Sequence, residues 1–367
     1  MYRIRLLVLG LCLAPALGLW AQSANKATVS GYIRDQVSGE VIIGATVSLS
    51  NAQGLVGGGY TNEYGFFSLT VPFGTYTLQV NYLGFKPLTK TLELQVNQRL
   101  ELELLEEGVT LNEIEIVAEP EDNNVTDVVV GRNQLSIGQV QKLPALLGEV
   151  DVIKTIQLLP GIQFGGEGNT GFYVRGGNYD QNLIQLDEAP VYNASHLLGF
   201  FSVFNADALK DVEVYKAGIP PRYGGRLASV VDIRMKEGSP KKYGFKAGIG
   251  LISSRATFEG PLVRDKSSFI VSGRRTYADL FLLASSDPEV RENRLYFYDF
   301  NAKVNFDLGA NDRVFVSGYF WRDVFKFGDQ FGFDWGNRTA TARWNHIFND
   351  RLFSNLTLIY SDFDYSI

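Results

Sequence analysis

The 367-residue chain is predicted to be mainly β: an N-terminal β-sandwich, an α+β middle segment, then the first strands of a transmembrane antiparallel β-barrel. Three observations point there. In the stretch LYFYDFNAKVNFDL at 295–308, Tyr296, Tyr298, Phe300, Ala302, Val304, Phe306 and Leu308 form one apolar row. Asp299, Asn301, Lys303, Asn305 and Asp307 form the opposite one. A strand sends successive side chains to opposite faces, and a barrel crossing ~25 Å of hydrocarbon needs one greasy face and one wet face. The second observation is the spacing of the strands after Phe245, predicted at 244–251, 254–260, 267–281, 295–308, 313–322, 338–347 and 351–362. From the third onward their connections alternate long and short, as loops and turns do on the two sides of an outer-membrane barrel. The third is a run of short β segments in the first hundred residues, punctuated by turn residues.

Taken in order, residues 1–21 read as a secretory signal, with Arg3 and Arg5 before the apolar stretch Leu6–Leu13 and a cleavage point after Ala21. Cys12 lies inside that stretch behind a bulky Leu11, which disfavours a lipoprotein signal. Cleavage after Ala21 leaves no cysteine, excluding disulfides and thiol chemistry. Residues 26–105 read as a sandwich of about seven short strands, with runs at 27–33, 46–49, 66–71, 75–82 and 100–104 and turns at SGE, TNEYG and PFG. Residues 106–126 turn acidic and irregular. Within them Glu113, Ile114, Glu115, Ile116, Val117 and Ala118 form a short β-prone stretch: a last sandwich strand, a linker, or a segment that adds to a partner's sheet edge. Residues 127–237 alternate short strands (172–175, 182–186, 211–215, 229–235) with glycine-rich loops, after a helix-like stretch at 149–159 that ends at Pro160–Gly161. From 241 to 367 come the barrel strands, where a phase change at Ser253–Ser254 predicts a tight hairpin rather than a bulge.

Composition narrows the function classes. Aromatics make up 13 % of the chain, and the mean hydropathy of −0.03 suits a protein with polar lumen faces. The mature sequence has no stretch of ~20 apolar residues for a transmembrane helix. A net charge of −6 argues against nucleic-acid binding.

Two resemblances follow from the motifs. GYIRDQVSGEVIIGATVSL, TNEYGFFSL and VPFGTYTLQVNYLGF resemble the carboxypeptidase-regulatory-like, prealbumin-type domain. The segment holds no histidine, so it lacks the ligands of a zinc peptidase and would be the accessory sandwich. LPGI at 159–162, VRGG at 174–177, NLIQLDEAPVYN at 182–193, GFFSVFN at 199–205, DVEVYKAG at 211–218 and RYGGRLASVVDI at 222–233 resemble the plug domain of TonB-dependent outer-membrane receptors. With SFIVSGRRTYADL at 268–280 the pattern is most similar to the Bacteroidetes type. The resemblance implies a TonB box at 113–118, TonB and its proton-driven inner-membrane complex as partners, and a full barrel of about 22 strands. The seven strands of this chain would then be the start of a longer receptor, since an open sheet edge in lipid leaves backbone groups unsatisfied. Within the implied plug, Arg175, Gly176 and Gly177, and likewise Tyr223, Gly224, Gly225 and Arg226, read as turns where glycine lets the backbone pass close to the wall and charge holds it there. Neither has the lysine or glycine spacing of a phosphate loop.

Asp187 and Glu188 are adjacent carboxylates that do not converge on one bond as a catalytic pair must, so they read as ion-pair residues. His196 and His346 are the only histidines, too far apart for a metal site without cysteine. Tyr179, Asp180, Gln181, Asn193 and His196, in plug loops, are the substrate-contact candidates, with packing the alternative reading of His196. The loop at 323–337, with Phe325, Phe327, Phe331, Phe333 and Trp335, is expected outside the cell. The expected function is active transport of a scarce ligand (iron chelate, cobalamin, glycan or peptide) across the bacterial outer membrane, with the sandwich in the periplasm. It needs no cofactor, no metal and no catalytic residue. Outer-membrane lipid surrounds the barrel, and a surface lipoprotein is a further candidate partner. The sandwich stands where some receptors of this class carry a signalling domain, which lowers but does not remove the expectation of a signalling role. The rival reading is a non-transporting surface adhesin that binds through the sandwich.

Overall fold

A computed structural model of the chain describes residues 25–107, 131–143, 148–166, 171–328 and 331–367. Neither the expected signal nor the 113–118 stretch lies among them.

The N-terminal unit is a seven-stranded sandwich: β1 Lys26–Asp35, β2 Thr46–Asn51, β3 Gly54–Tyr60, β4 Phe66–Pro72, β5 Gly74–Asn81, β6 Leu88–Leu94 and β7 Gln98–Leu104. One sheet runs β4-β1-β7, with β1 and β7 parallel; the other runs β3-β2-β5-β6. Alternate residues point inward, so Val47, Leu49, Leu78, Val80, Leu92 and Leu94 are all buried between the sheets. Each such side chain contributes about 1.5–3 kcal/mol. The sequence runs fall within or across β1, β2, β4, β5 and β7. β3 escapes the sequence pattern because Gly57, Gly58 and Gly59 leave half of it without side chains.

The middle segment contains β8 Arg132–Ser136, α1 Ile137–Val140, α2 Val152–Gln157, β9 Ile162–Phe164, β10 Phe172–Val174, β11 Asn182–Leu186, β12 Ala189–Pro190, β13 Ser195–His196, β14 Phe201–Ser202, β15 Leu209–Tyr215 and β16 Ser229–Met235. Its main sheet has the order β12-β11-β16-β15-β8, with β11 and β16 parallel. All seven residues of β16 are buried, as expected of a central strand covered on both faces. Ile156, Phe204, Val212, Val214, Val231 and Ile233 belong to its core. Asp151 caps α2 by accepting from Lys154 N at 3.0 Å, and its other oxygen accepts from Ser202 N at 2.8 Å, tying the helix to β14.

The C-terminal sheet has seven antiparallel strands in chain order: β17 Gly244–Ile249, β18 Ser253–Val263, β19 Ser267–Thr276, β20 Arg294–Asp307, β21 Asp312–Phe327, β22 Phe331–Asn349 and β23 Leu352–Ser366. The β17–β18 junction is a tight hairpin, with Ile249 paired to Ser254, although its turn falls at 250–252, just before the serines. Two expectations need correction. The strand expected to run to 281 stops at Thr276, and Ala278–Leu283 forms α3, followed by Pro288–Arg291 as α4. Its first turn carries Asp279, paired with Arg275 at 2.8 Å, and leucines favour the helix. The long loop expected at 323–337 is also largely strand: β21 and β22 continue the alternation to Phe327 and from Phe331. Gly328, at φ +53, supplies the turn. In place of loop aromatics, a stacked ladder joins Phe325 to Phe333 at 4.8 Å and Phe333 to Trp335 at 4.5 Å.

The burial pattern of this sheet inverts that of a water-soluble protein. On β20 the buried row is Phe297, Asp299, Asn301, Lys303 and Asn305, whereas apolar Phe300 on the other face is 48 % exposed. On β22 Asn337, Thr339, Thr341, Arg343 and Asn345 are buried while Trp344 is 43 % exposed. Polar residues face the protein and apolar residues face outward, the arrangement lipid requires.

Candidate functional site: where the middle segment meets the C-terminal sheet

The buried polar row of β19–β22 has its partners on the middle segment. One cluster centres on Arg274 of β19. Its Nε donates to Asp299 Oδ2 at 2.7 Å, its Nη1 to Glu149 Oε2 at 3.1 Å, and its Nη2 to the carbonyl of Ser202 at 2.8 Å. Three of its donors are thereby used, as a buried guanidinium requires. Arg255 of β18 reaches Asp207 at 2.8 Å and Glu149 at 3.4 Å, and Ser253 Oγ also bonds Glu149.

Beside this cluster, Asp323 of β21 accepts from Leu197 N at 3.2 Å and pairs with His196 Nδ1 at 2.8 Å. The imidazole lies flat on Phe297, 3.8 Å between ring centres and 7° from parallel, with Trp321 edge-on. Tyr319 donates to the Val203 carbonyl at 2.6 Å, and Asn205 to Ser272 at 2.8 Å.

A second cluster forms at the β11–β12 turn. Asp187 and Glu188 occupy the turn rather than a strand, both with positive φ (47° and 72°). Asp187 pairs with Lys303 at 3.0 Å, and Glu188 with Arg343 at 3.0 Å. Asp187 also accepts from Met235 N at 3.0 Å. Burial alone would raise the Asp187 carboxyl, but Lys303 and Arg343 together hold it below the usual aspartate range. As the chain leaves β16, Glu237 offers its carbonyl to Asn305 and Ser268, both at 2.8 Å. Gly238 follows at φ +75, so close to β19 that an added Cβ would lie 2.2 Å from the Phe269 carbonyl oxygen.

Residues 28–105 match the carboxypeptidase regulatory-like domain, and residues 124–231 match the TonB-dependent receptor plug domain. This chain carries the plug domain of a TonB-dependent receptor. Similar solved structures include the siderophore receptor PirA from Pseudomonas aeruginosa (18 % identity, TM-score 0.49, covering 65 % of this chain and 41 % of that one). The ferric enterobactin receptor PfeA from the same organism, a Q482A mutant in complex with enterobactin, gives 18 % identity and TM-score 0.48, covering 64 % and 41 %. The alcaligin receptor FauA from Bordetella pertussis gives 16 % and 0.45, covering 64 % and 38 %. The chain thus spans about two-fifths of the length of these receptors. No curated protein matches it.

Several residues singled out in the sequence occupy places other than those expected. Arg175 is exposed and lies with Gly176 in a turn at positive φ. The tight approach there is within the plug: a Cβ on Gly177 would lie 2.5 Å from that of Ala228. Among the described residues nothing comes within 4 Å of a Cβ built on Gly224 or Gly225, so the close passage to the wall is made at Gly238 instead. Tyr223 bonds Asp232 of the plug sheet at 2.9 Å, and Arg226 bonds the Gly225 carbonyl. Tyr179 and Asp180 are exposed on a short 3₁₀ turn, where Gln181 caps Asn178. Asn193 is exposed at φ +50. His196 has no exposed surface and has wall partners, which agrees with the packing alternative rather than with ligand contact. His346 sits apart on β22, 2.7 Å from Asp312. No group of three metal-ligating side chains occurs among the described residues.

Sequence reasoning missed Glu149, Arg274 and Asp323, and also Tyr192, which is 44 % exposed beside Asn193 with its ring 6.2 Å from Phe363. The alternation on β20 had flagged Asp299 and Lys303 as facing inward, but nothing local names their partners.

Proposed function

We propose that this chain forms the periplasmic sandwich, plug and first wall strands of an outer-membrane receptor that takes up a scarce ligand at the expense of TonB-transmitted work. The observation that carries the reading is the match of polar residues between the plug and the inner row of the sheet: Arg274 with Glu149, Asp323 with His196, Lys303 with Asp187. Such pairs are strong while desolvated and weaken once water enters, so a plug held by them can be displaced under load and can return. Ligand binds the outward side of the plug, where exposed Tyr192 and Asn193 are the first residues to test, with Tyr179, Asp180 and Gln181. TonB adds a strand to residues 113–118, and the pull loosens the plug. No bond of the ligand is made or broken, so the protein is no enzyme.

Deleting residues 113–118 from the receptor tests the reading. Uptake should vanish while ligand still binds at the cell surface. Unchanged uptake overturns it and favours a passive binding protein.

A further inference from the structure

His196 is a wholly buried titratable group whose charge the uptake reading does not use. Its segment, 192–199, is tied to the wall twice: Tyr192 N donates to Asn337 Oδ1 of β22 at 3.2 Å, and His196 and Leu197 meet Asp323 of β21. Both imidazole nitrogens face carboxylates: Nδ1 lies 2.8 Å from Asp323 Oδ2, and Nε2, buried without a hydrogen bond, lies 3.5 Å from Asp299 Oδ2, which accepts from Arg274. A neutral imidazole has one N–H, so one nitrogen lone pair would point at an anion; the imidazolium has a donor for each. The charge balance agrees. Asp323, Asp299 and Glu149 are buried here against Arg274 alone, with Arg255 partly exposed and shared with Asp207. A second buried cation would reduce the surplus, and His196 is the group placed to supply it. The ring has no escape to solvent, being stacked on Phe297 and edged by Trp321.

We propose that His196 is a positioning residue whose imidazolium latches the ligand-facing segment of the plug to Asp323 and Asp299 of the wall, so that the docking of this segment depends on pH. The proposal rests on the uptake reading only for the ligand role given to Tyr192 and Asn193. Burial pulls the imidazolium down, but Asp323 and Asp299 outweigh it and Arg274 opposes them weakly, so the group is held above the ordinary histidine value. The sign follows: a raised value means that the latch is fully formed below about pH 6.5 and is lost as pH climbs through the raised value.

The test is hydrogen exchange of residues 192–202 in the intact receptor in outer-membrane vesicles, without ligand or TonB, from pH 6 to pH 10 and corrected for the intrinsic exchange rate. Protection should fall by up to tenfold per pH unit from about pH 6.5 to the raised value and level off above it, while the plug sheet at 229–235 stays unchanged. His196→Gln should show the low protection at every pH, and Asp323→Asn should lower it and move the transition to lower pH. A flat wild-type profile overturns the proposal, as does a His196→Gln receptor with the wild-type profile; the wild-type profile decides alone if the variants do not assemble. Because no transport is measured, the latch can fail while uptake stands, and the reverse.

Discussion

Lys303 of β20 and Asp187 of the plug turn form an ion pair at 3.0 Å with both side chains almost wholly buried. The lysine also donates to the Met235 carbonyl at 3.2 Å. A wall strand thereby holds a plug turn and the end of a plug strand with one ammonium. Lys303→Met is expected to loosen the plug by about 3–5 kcal/mol, because it strands the Asp187 carboxylate. Adding Asp187→Asn should recover most of the loss. Denaturant unfolding of the four species of this cycle gives the coupling.

The same pair sets an acid limit. Asp187 is held below the ordinary aspartate value, so its contribution is present above about pH 4 and is lost as pH falls through the lowered value. Plug release followed by tryptophan fluorescence should begin at higher pH in Asp187→Asn than in the wild type, and a common onset would contradict this.

Arg274 is expected to be the most sensitive position of the wall. It satisfies Asp299, Glu149 and the Ser202 carbonyl at once. Arg274→Met leaves two carboxylates facing each other and should raise exchange at 148–157 and 201–205 by at least a hundredfold, for a cost of about 3–5 kcal/mol. Arg274→Lys should be only partly tolerated, because an ammonium lacks the planar fork.

Asp211 runs the other way. Burial first, and then Glu213, push its carboxyl up to about 6, against Lys210, which lowers it. Its Oδ1 is buried without a hydrogen bond, and Oδ2 accepts a long one from Gln134 at 3.5 Å. The folded plug therefore favours the protonated acid, and the ionised form costs stability above about pH 6. Asp211→Asn should raise the thermal midpoint at pH 8 and make no difference at pH 4.

Gly238 tests the hand-over from plug to wall. Its φ of +75 and the 2.2 Å approach to the Phe269 carbonyl leave no room for a methyl group. Gly238→Ala should impair assembly, whereas Gly224→Ala, where no atom of the described residues lies within 4 Å of the new carbon, should be mild. Heat-modifiable migration on gels compares the two.

The period of the strands made much of this architecture legible. Val230 to Ile233 read as a short strand, and Tyr298 to Phe306 as a strand with one greasy face, because both patterns are local. The extents of β21 and β22 were harder, since Gly328 and Gly332 amid aromatics resemble a loop until pairing extends them: Phe325 lies opposite Phe333. The interface was hardest. His196 pairs with Asp323 across 127 residues, and no local rule joins a plug loop to a wall strand. A lone histidine in a plug loop can be read as a ligand contact or as packing, and only the folded wall shows what it packs against.

The central claim is that the C-terminal sheet shows an apolar row to lipid and a polar row to the plug. Single spin labels placed in turn at residues 298–306 of the receptor in bilayers test it most directly, by accessibility to oxygen, which dissolves in lipid, and to a water-soluble nickel complex. Even positions, Tyr298 through Phe306, should be open to oxygen and closed to nickel, and odd positions, Asp299 through Asn305, closed to both. Nickel reaching the even positions, or oxygen reaching all of them alike, would contradict the account.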